Sequence, residues 1–123
     1  MSEDDQKVVV SLTAGLDDGE RATVALLVAT AGLDQGKRGI IWLTKEAVRL
    51  ALPGYGETVA CDGCPPWARL LEQFAEGGGE LCVCPICFSA RKLDEASLVS
   101  NARLMGATPL WEWIGDGATV FNY

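Results

Sequence analysis

Short apolar runs alternate with longer stretches of mixed apolar and polar positions, and their lengths separate strands from helices. "KVVVSLT" (7–13) is β-branched and of strand length. "AGLDDGE" (14–20) holds two glycines and two aspartates and reads as a turn. Residues 20–35 then read as a helix. Val24, Leu27, Val28 and Ala31 recur at helical spacing and mark its stripe. Ala22, Ala25, Leu26 and Ala29 make it apolar nearly all round, so it is expected to be well buried, and Gly36 stops it.

"GIIWLT" (39–44) is a second strand, apolar on both faces. Thr44 is placed to cap a short helix that runs to Leu52 and ends at Pro53-Gly54. A loop follows over 53–65. Trp67, Leu70, Leu71, Phe74 and Ala75 mark an amphipathic helix, broken by Gly77-Gly78-Gly79. Leu81–Cys84 is a third strand, with a short helix expected after it to about Lys92. Residues 94–106 fit either a helix capped by Asp94 or, at "ARLMG", a short strand. Thr108-Pro109 reads as N-cap and first residue of a helix over "LWEWIG", and "ATVFNY" (118–123) as the last strand. Strands alternating with helices predict a parallel sheet with helices on both sides. Residues 1–6 are polar and expected to be loose, with 7–123 forming one domain.

Composition narrows the function. The chain has 123 residues and is 49 % apolar, enough for a real core. Its net charge of −7 disfavours nucleic acid, and no apolar run reaches membrane-spanning length. The acidic start "MSEDDQK" lacks the apolar core of a signal peptide, so the expected compartment is the cytoplasm. Thiols stay mostly reduced there, so a structural disulfide framework is not expected and five cysteines point to redox or metal work. There is no histidine, which removes Cys–His pairs, Ser–His–Asp triads and every His-containing metal site.

"ELCVCPICFSARK" (80–92) holds three of the cysteines. Cys82 is mid-strand and reads as a small buried hydrophobe. Cys84 ends the strand, and Pro85 stands at the first helical position. Cys84 is therefore the expected N-cap, at the strand end where such folds bind ligands, with the helix amides and dipole ahead of its sulfur. Cys87 lies three residues on, and Arg91, one turn beyond it, adds positive charge. This is a route to a nucleophilic cysteine without histidine. "CDGC" adds Cys61 and Cys64 ahead of the helix at Trp67, on the same carboxyl-end face. The spacing C-x2-C-x19-C-x2-C also fits four zinc thiolates, Cys61, Cys64, Cys84 and Cys87. A thioredoxin-like fold is not favoured, because there the C-x-x-C would follow an early strand. "GLDDGE" is neither a Walker loop nor a dinucleotide fingerprint. Asp17 and Asp18 read as turn residues and caps that could also border the site. Trp111 and Trp113 read as packing residues first and as an oligomer contact second.

The order and spacing of "SLTAGLDDGERATVALLVATAGLDQGKRGIIWLT", "LLEQFAEGGGELCVCPICFSAR" and "LWEWIGDGATVFNY" resemble the DsrE/DsrF-like family, including the TusD-type sulfur-relay subunits, over residues 7–123. The resemblance implies a three-layer α/β/α sandwich with a mostly parallel sheet of about five strands, commonly assembled into trimers or hexamers. It favours a strand near 102–106. It also implies a strand-end cysteine that accepts and passes sulfur as a persulfide, which falls on Cys84, with Cys87 as the second thiol of the CPxC form. Cys61 and Cys64 are outside the family pattern and leave room for a relay or resolving role.

The expectation is thus a cytoplasmic sulfur carrier or thiol-redox protein without a cofactor, meeting donor and acceptor proteins or small thiols. Sulfurtransferase or persulfide-reductase turnover is left open. The rivals are a zinc-binding structural or interaction module and a scaffold subunit whose cysteines are incidental.

Overall fold

A computed structural model describes residues 6–57, 59 and 63–123. Five strands form: β1 Lys7–Leu12, β2 Arg38–Leu43, β3 Glu80–Val83, β4 Ala102–Leu104 and β5 Thr119–Asn122. The α-helices among the described residues are α1 Gly19–Asp34, α2 Trp67–Glu76, α3 Pro85–Ala90 and α4 Ala107–Ile114. The strands lie in the order β4-β3-β2-β1-β5, and every neighbouring pair is parallel. Both faces of the central strands are apolar because helices cover both, as the unbroken runs "VVV" and "GIIWL" demand. The result is an α/β/α sandwich with unequal layers.

The thicker layer holds α1, α2, α3 and a 3-10 segment at Lys45–Ala51. Its core joins Val8, Val10, Leu12, Ile41, Leu43, Leu81 and Val83 of the sheet to Leu26, Trp67, Leu70 and Phe74. The thinner layer is α4. It packs Leu110, Trp113 and Ile114 over Val9, Ile40, Cys82 and Met105.

Several local expectations are corrected. The stripe of α1 is turned: Ala22, Ala25, Leu26 and Ala29 face the core, while Val24 and Leu27 are exposed. Alanines let the helix lie close on the β-branched sheet, which the larger side chains would prevent. Residues 45–51 form a 3-10 helix, and Thr44 makes no capping hydrogen bond. Gly106, not Thr108, is the N-cap of α4, which places Pro109 at its third position. There its missing N–H still costs nothing, since the first-turn amides have no intrahelical partner. Asp94 does cap, but a single 3-10 turn at Glu95–Ser97, and β4 follows. The two tryptophans of α4 divide: Trp113 packs beneath Lys7 and Arg38, while Trp111 is exposed.

Trp67, the first residue of α2, is fully buried. Its Nε1 donates to Thr23 Oγ1 at 2.7 Å, and that hydroxyl donates to Gly19 O at 2.8 Å. The pair ties α2 to the first turns of α1. Gly56, at φ +66°, lies against the indole where no Cβ would fit. Thr23→Val leaves a buried indole N–H unpaired and should cost about 1–3 kcal/mol in chemical denaturation.

Cys82 is fully buried, between its register neighbours Trp42 and Arg103. Burial pushes its thiol up to about 11, against the weaker opposing pull of Arg103. In the unfolded chain the thiol ionises near 9. Between those values the unfolded state holds fewer protons, so this thiol makes stability fall as pH rises. A shift of this size corresponds to about 2–3 kcal/mol. The stability of Cys82→Val, followed by denaturant titration from neutral to alkaline pH, should lack this part of the decline.

Candidate functional site

β3 ends because Cys84 leaves the ladder. Its N–H makes a last strand-type bond to Leu43 O at 2.9 Å, and its carbonyl accepts from Phe88 N at 3.1 Å, opening α3. Cys84 is the N-cap in extended conformation, with Pro85 at the first helical position, as the sequence predicts. Its side chain makes no capping hydrogen bond, so the sulfur is not committed to the helix amides. Cys87 is the third helical residue. N-cap and third position lie at one helix end, the two positions that a capping box uses. Both thiols are free and half-buried. Ile86 between them is 80 % exposed, so the turn stands at the surface.

The turn lies among the carboxyl ends of the strands. Leu43 of β2 is on one side, and Met105 N donates to Val83 O on the other. Gly106 approaches the Pro85 ring. The β1–α1 loop shares this end of the sheet. Its Asp17 accepts from Gly15 N at 2.7 Å and its Asp18 caps α1 through Arg21 N at 3.2 Å. Both aspartates are thus used as turn and cap residues.

Arg91 is one turn beyond Cys87, but its guanidinium is engaged. Nη1 donates to Cys87 O at 3.1 Å, and Nε pairs with Glu46 Oε2 at 3.3 Å. Glu46 sits just past the carboxyl end of β2 and also pairs with Arg49 at 2.8 Å. Arg49, then Arg91, holds the Glu46 carboxyl below its ordinary range in spite of partial desolvation. Sequence reasoning missed Glu46. The Glu46–Arg49 spacing is a visible signal of a local ion pair, but the link to Arg91 exists only because β2 and β3 are neighbours.

Of the second cysteine pair, Cys61 lies outside the described residues. Cys64 is disulfide-bonded, against the expectation of reduced thiols. A four-thiolate zinc site needs Cys64 as a thiolate, so this state does not fit that ligand set. Among the described residues, no group of three or more cysteine or acidic side chains is arranged to hold a metal. No helix among them is long and apolar enough to cross a membrane.

Comparisons with known proteins follow the same architecture. An uncharacterised protein of Methanopyrus kandleri, MK0008, is 32 % identical over 104 residues, covering 85 % of this chain and 83 % of that protein. The crystal structure of the YchN protein from E. coli superposes with a TM-score of 0.78 at 18 % identity, covering 96 % of this chain and 99 % of that one. MTH1491 from Methanobacterium thermoautotrophicum, a protein of unknown function, gives 0.76 at 13 % identity over 97 % and 100 % of the two chains. The model of the DsrE/DsrF-like family matches residues 6–123, and the chain belongs to that family.

Proposed function

We propose that this protein is a sulfane-sulfur carrier whose acceptor is Cys84. Its family is associated with sulfur relay and redox chemistry, carried out with partner proteins. The observation that carries the reading is the placement of two free thiols at the N-cap and third position of one surface helix.

In the first step the Cys84 thiolate attacks the outer sulfur of a persulfide donor, R–S–SH. The donor S–S bond breaks, R–S⁻ leaves, and Cys84 holds the sulfur as a persulfide, with no net oxidation. An acceptor thiolate can take that sulfur by the same exchange. Alternatively, the Cys87 thiolate attacks Cys84 Sγ and expels HS⁻. The sulfane sulfur is then reduced, the two thiols become a disulfide, and an external dithiol must reset the protein. A disulfide-bonded Cys64 takes no part as a sulfur acceptor until it is reduced. Assembly into a homotrimer or hexamer belongs to the same reading. The exposed Val24, Leu27, Val120 and Phe121 offer apolar surface for it.

Incubation with glutathione persulfide, followed by intact mass and peptide mapping, tests the chemistry. The wild type should gain one reductant-labile sulfur on Cys84, and Cys84→Ser should gain none. Cys87→Ser should load but release little sulfide. Equal loading of Cys84→Ser and wild type would reject the proposal.

A further inference from the structure

A six-residue helix has no stability of its own, so the relative placement of Cys84 and Cys87 must come from outside it. The amino-terminal side is fixed by the Cys84 N–H to Leu43 O bond. The carboxyl-terminal side has a different problem. The last four carbonyls of a helix lack intrahelical partners, and in α3 Cys87 O is one of these. Backbone amides serve the next two: Arg91 N and Leu93 N reach Phe88 O, and Lys92 N reaches Ser89 O. Cys87 O is reached by a side chain, Arg91 Nη1.

That side chain is aimed by Glu46. The same guanidinium that donates to Cys87 O through Nη1 meets Glu46 Oε2 through Nε, so one planar fork joins the end of β2 to the Cys87 peptide. A planar guanidinium held at two points leaves its bonded carbonyl little freedom. The backbone is strained on both sides of the clamp. Lys45, directly before Glu46, has φ +53°, and Lys92, directly after Arg91, has φ +56°. Non-glycine residues enter this region at a cost, and the surrounding contacts hold them there. Arg49 Nε shares Glu46 Oε2 with Arg91, at 2.8 Å, and reaches Oε1 at 3.4 Å, which holds the carboxylate from its own helix.

We propose that Glu46 is a positioning residue for the two-thiol step: through Arg91 it fixes the Cys87 peptide and so the approach of the Cys87 thiol to whatever Cys84 carries. It touches neither sulfur. The inference rests on the carrier reading of Cys84 and Cys87, and it divides the chemistry. The first attack, by Cys84 on an incoming sulfur, does not depend on Glu46. The second, by Cys87 on Cys84 Sγ, does.

A two-phase disulfide exchange separates these steps. With 5,5′-dithiobis(2-nitrobenzoate), the Cys84 thiolate displaces one nitrothiobenzoate and forms a mixed disulfide. Cys87 then displaces the second nitrothiobenzoate and closes the Cys84–Cys87 disulfide. Cys84→Ser and Cys87→Ser identify the two phases. In Glu46→Gln the first phase should stay within about twofold of wild type and the second should slow by about tenfold or more, since small displacements of a reacting group are costly. Arg91→Lys, which keeps the charge but loses the fork, should do the same, and Glu46→Asp should recover part of the rate. Thermal melts check that the variants are folded, and the Arg91 variant serves if Glu46→Gln is not. An unchanged second phase in folded Glu46→Gln and Arg91→Lys overturns the inference. So does an equal slowing of both phases, which would mark the clamp as merely structural. Loss of neither phase in Cys84→Ser would instead overturn the carrier reading itself.

Discussion

One backbone hydrogen bond, from Cys84 N to Leu43 O, decides where the strand stops and the candidate site begins. It is the last rung between β2 and β3. One residue later proline removes the next donor and starts a helix, so the chain cannot continue the ladder. Everything at the site follows from that switch: a cysteine at the strand end, a second cysteine at the third helical position, and an apolar residue turned outward between them. The rung also sets the distance between the end of β2 and the new helix, and so lets Glu46 meet Arg91.

The sandwich makes this junction rigid from behind. β3 lies between β2 and β4, and all three end at one level, with Leu43 and Leu104 opposite Val83, one residue before Cys84. Beneath it the thick layer packs Phe88 of α3 into the main core, which anchors the short helix by its buried side. The opposite face carries Cys82 two residues earlier, facing α4 rather than the surface. Residues two apart share a strand face, so what distinguishes Cys84 from Cys82 is that the strand ends between them and Cys84 opens the helix at the surface.

Most of this could be read from the sequence, because it depends on local rules. A proline after a strand-end cysteine states both the N-cap and the helix start, and the apolar runs at 7–13 and 39–44 state a sheet covered twice. What could not be read depends on tertiary neighbours. Helical spacing marks Val24, Leu27, Val28 and Ala31 as the stripe of α1, yet close approach to the sheet selects small residues, so the face with Ala22, Ala25 and Ala29 turns inward. Arg91 was placed correctly along the chain, but the direction of its guanidinium is set by Glu46, forty-five positions away in sequence. At α4, the Thr-Pro signal marks the helix but not its first residue, because Gly106 caps in ordinary extended backbone with no side-chain hydrogen bond to leave a signature.

The parallel order of the sheet has a kinetic consequence for this chain. Neighbouring strands β2 and β3 are joined only through a long crossover, so the Leu43–Cys84 rung is a non-local contact and closes late. Glu46 and Arg91 meet only after it has closed. A chain that is still being made, or one that has partly unfolded, therefore carries Cys84 and Cys87 without a fixed relation to each other. The mutual placement of these two residues is acquired with the last stages of folding, and an incompletely folded copy carries both cysteines without it.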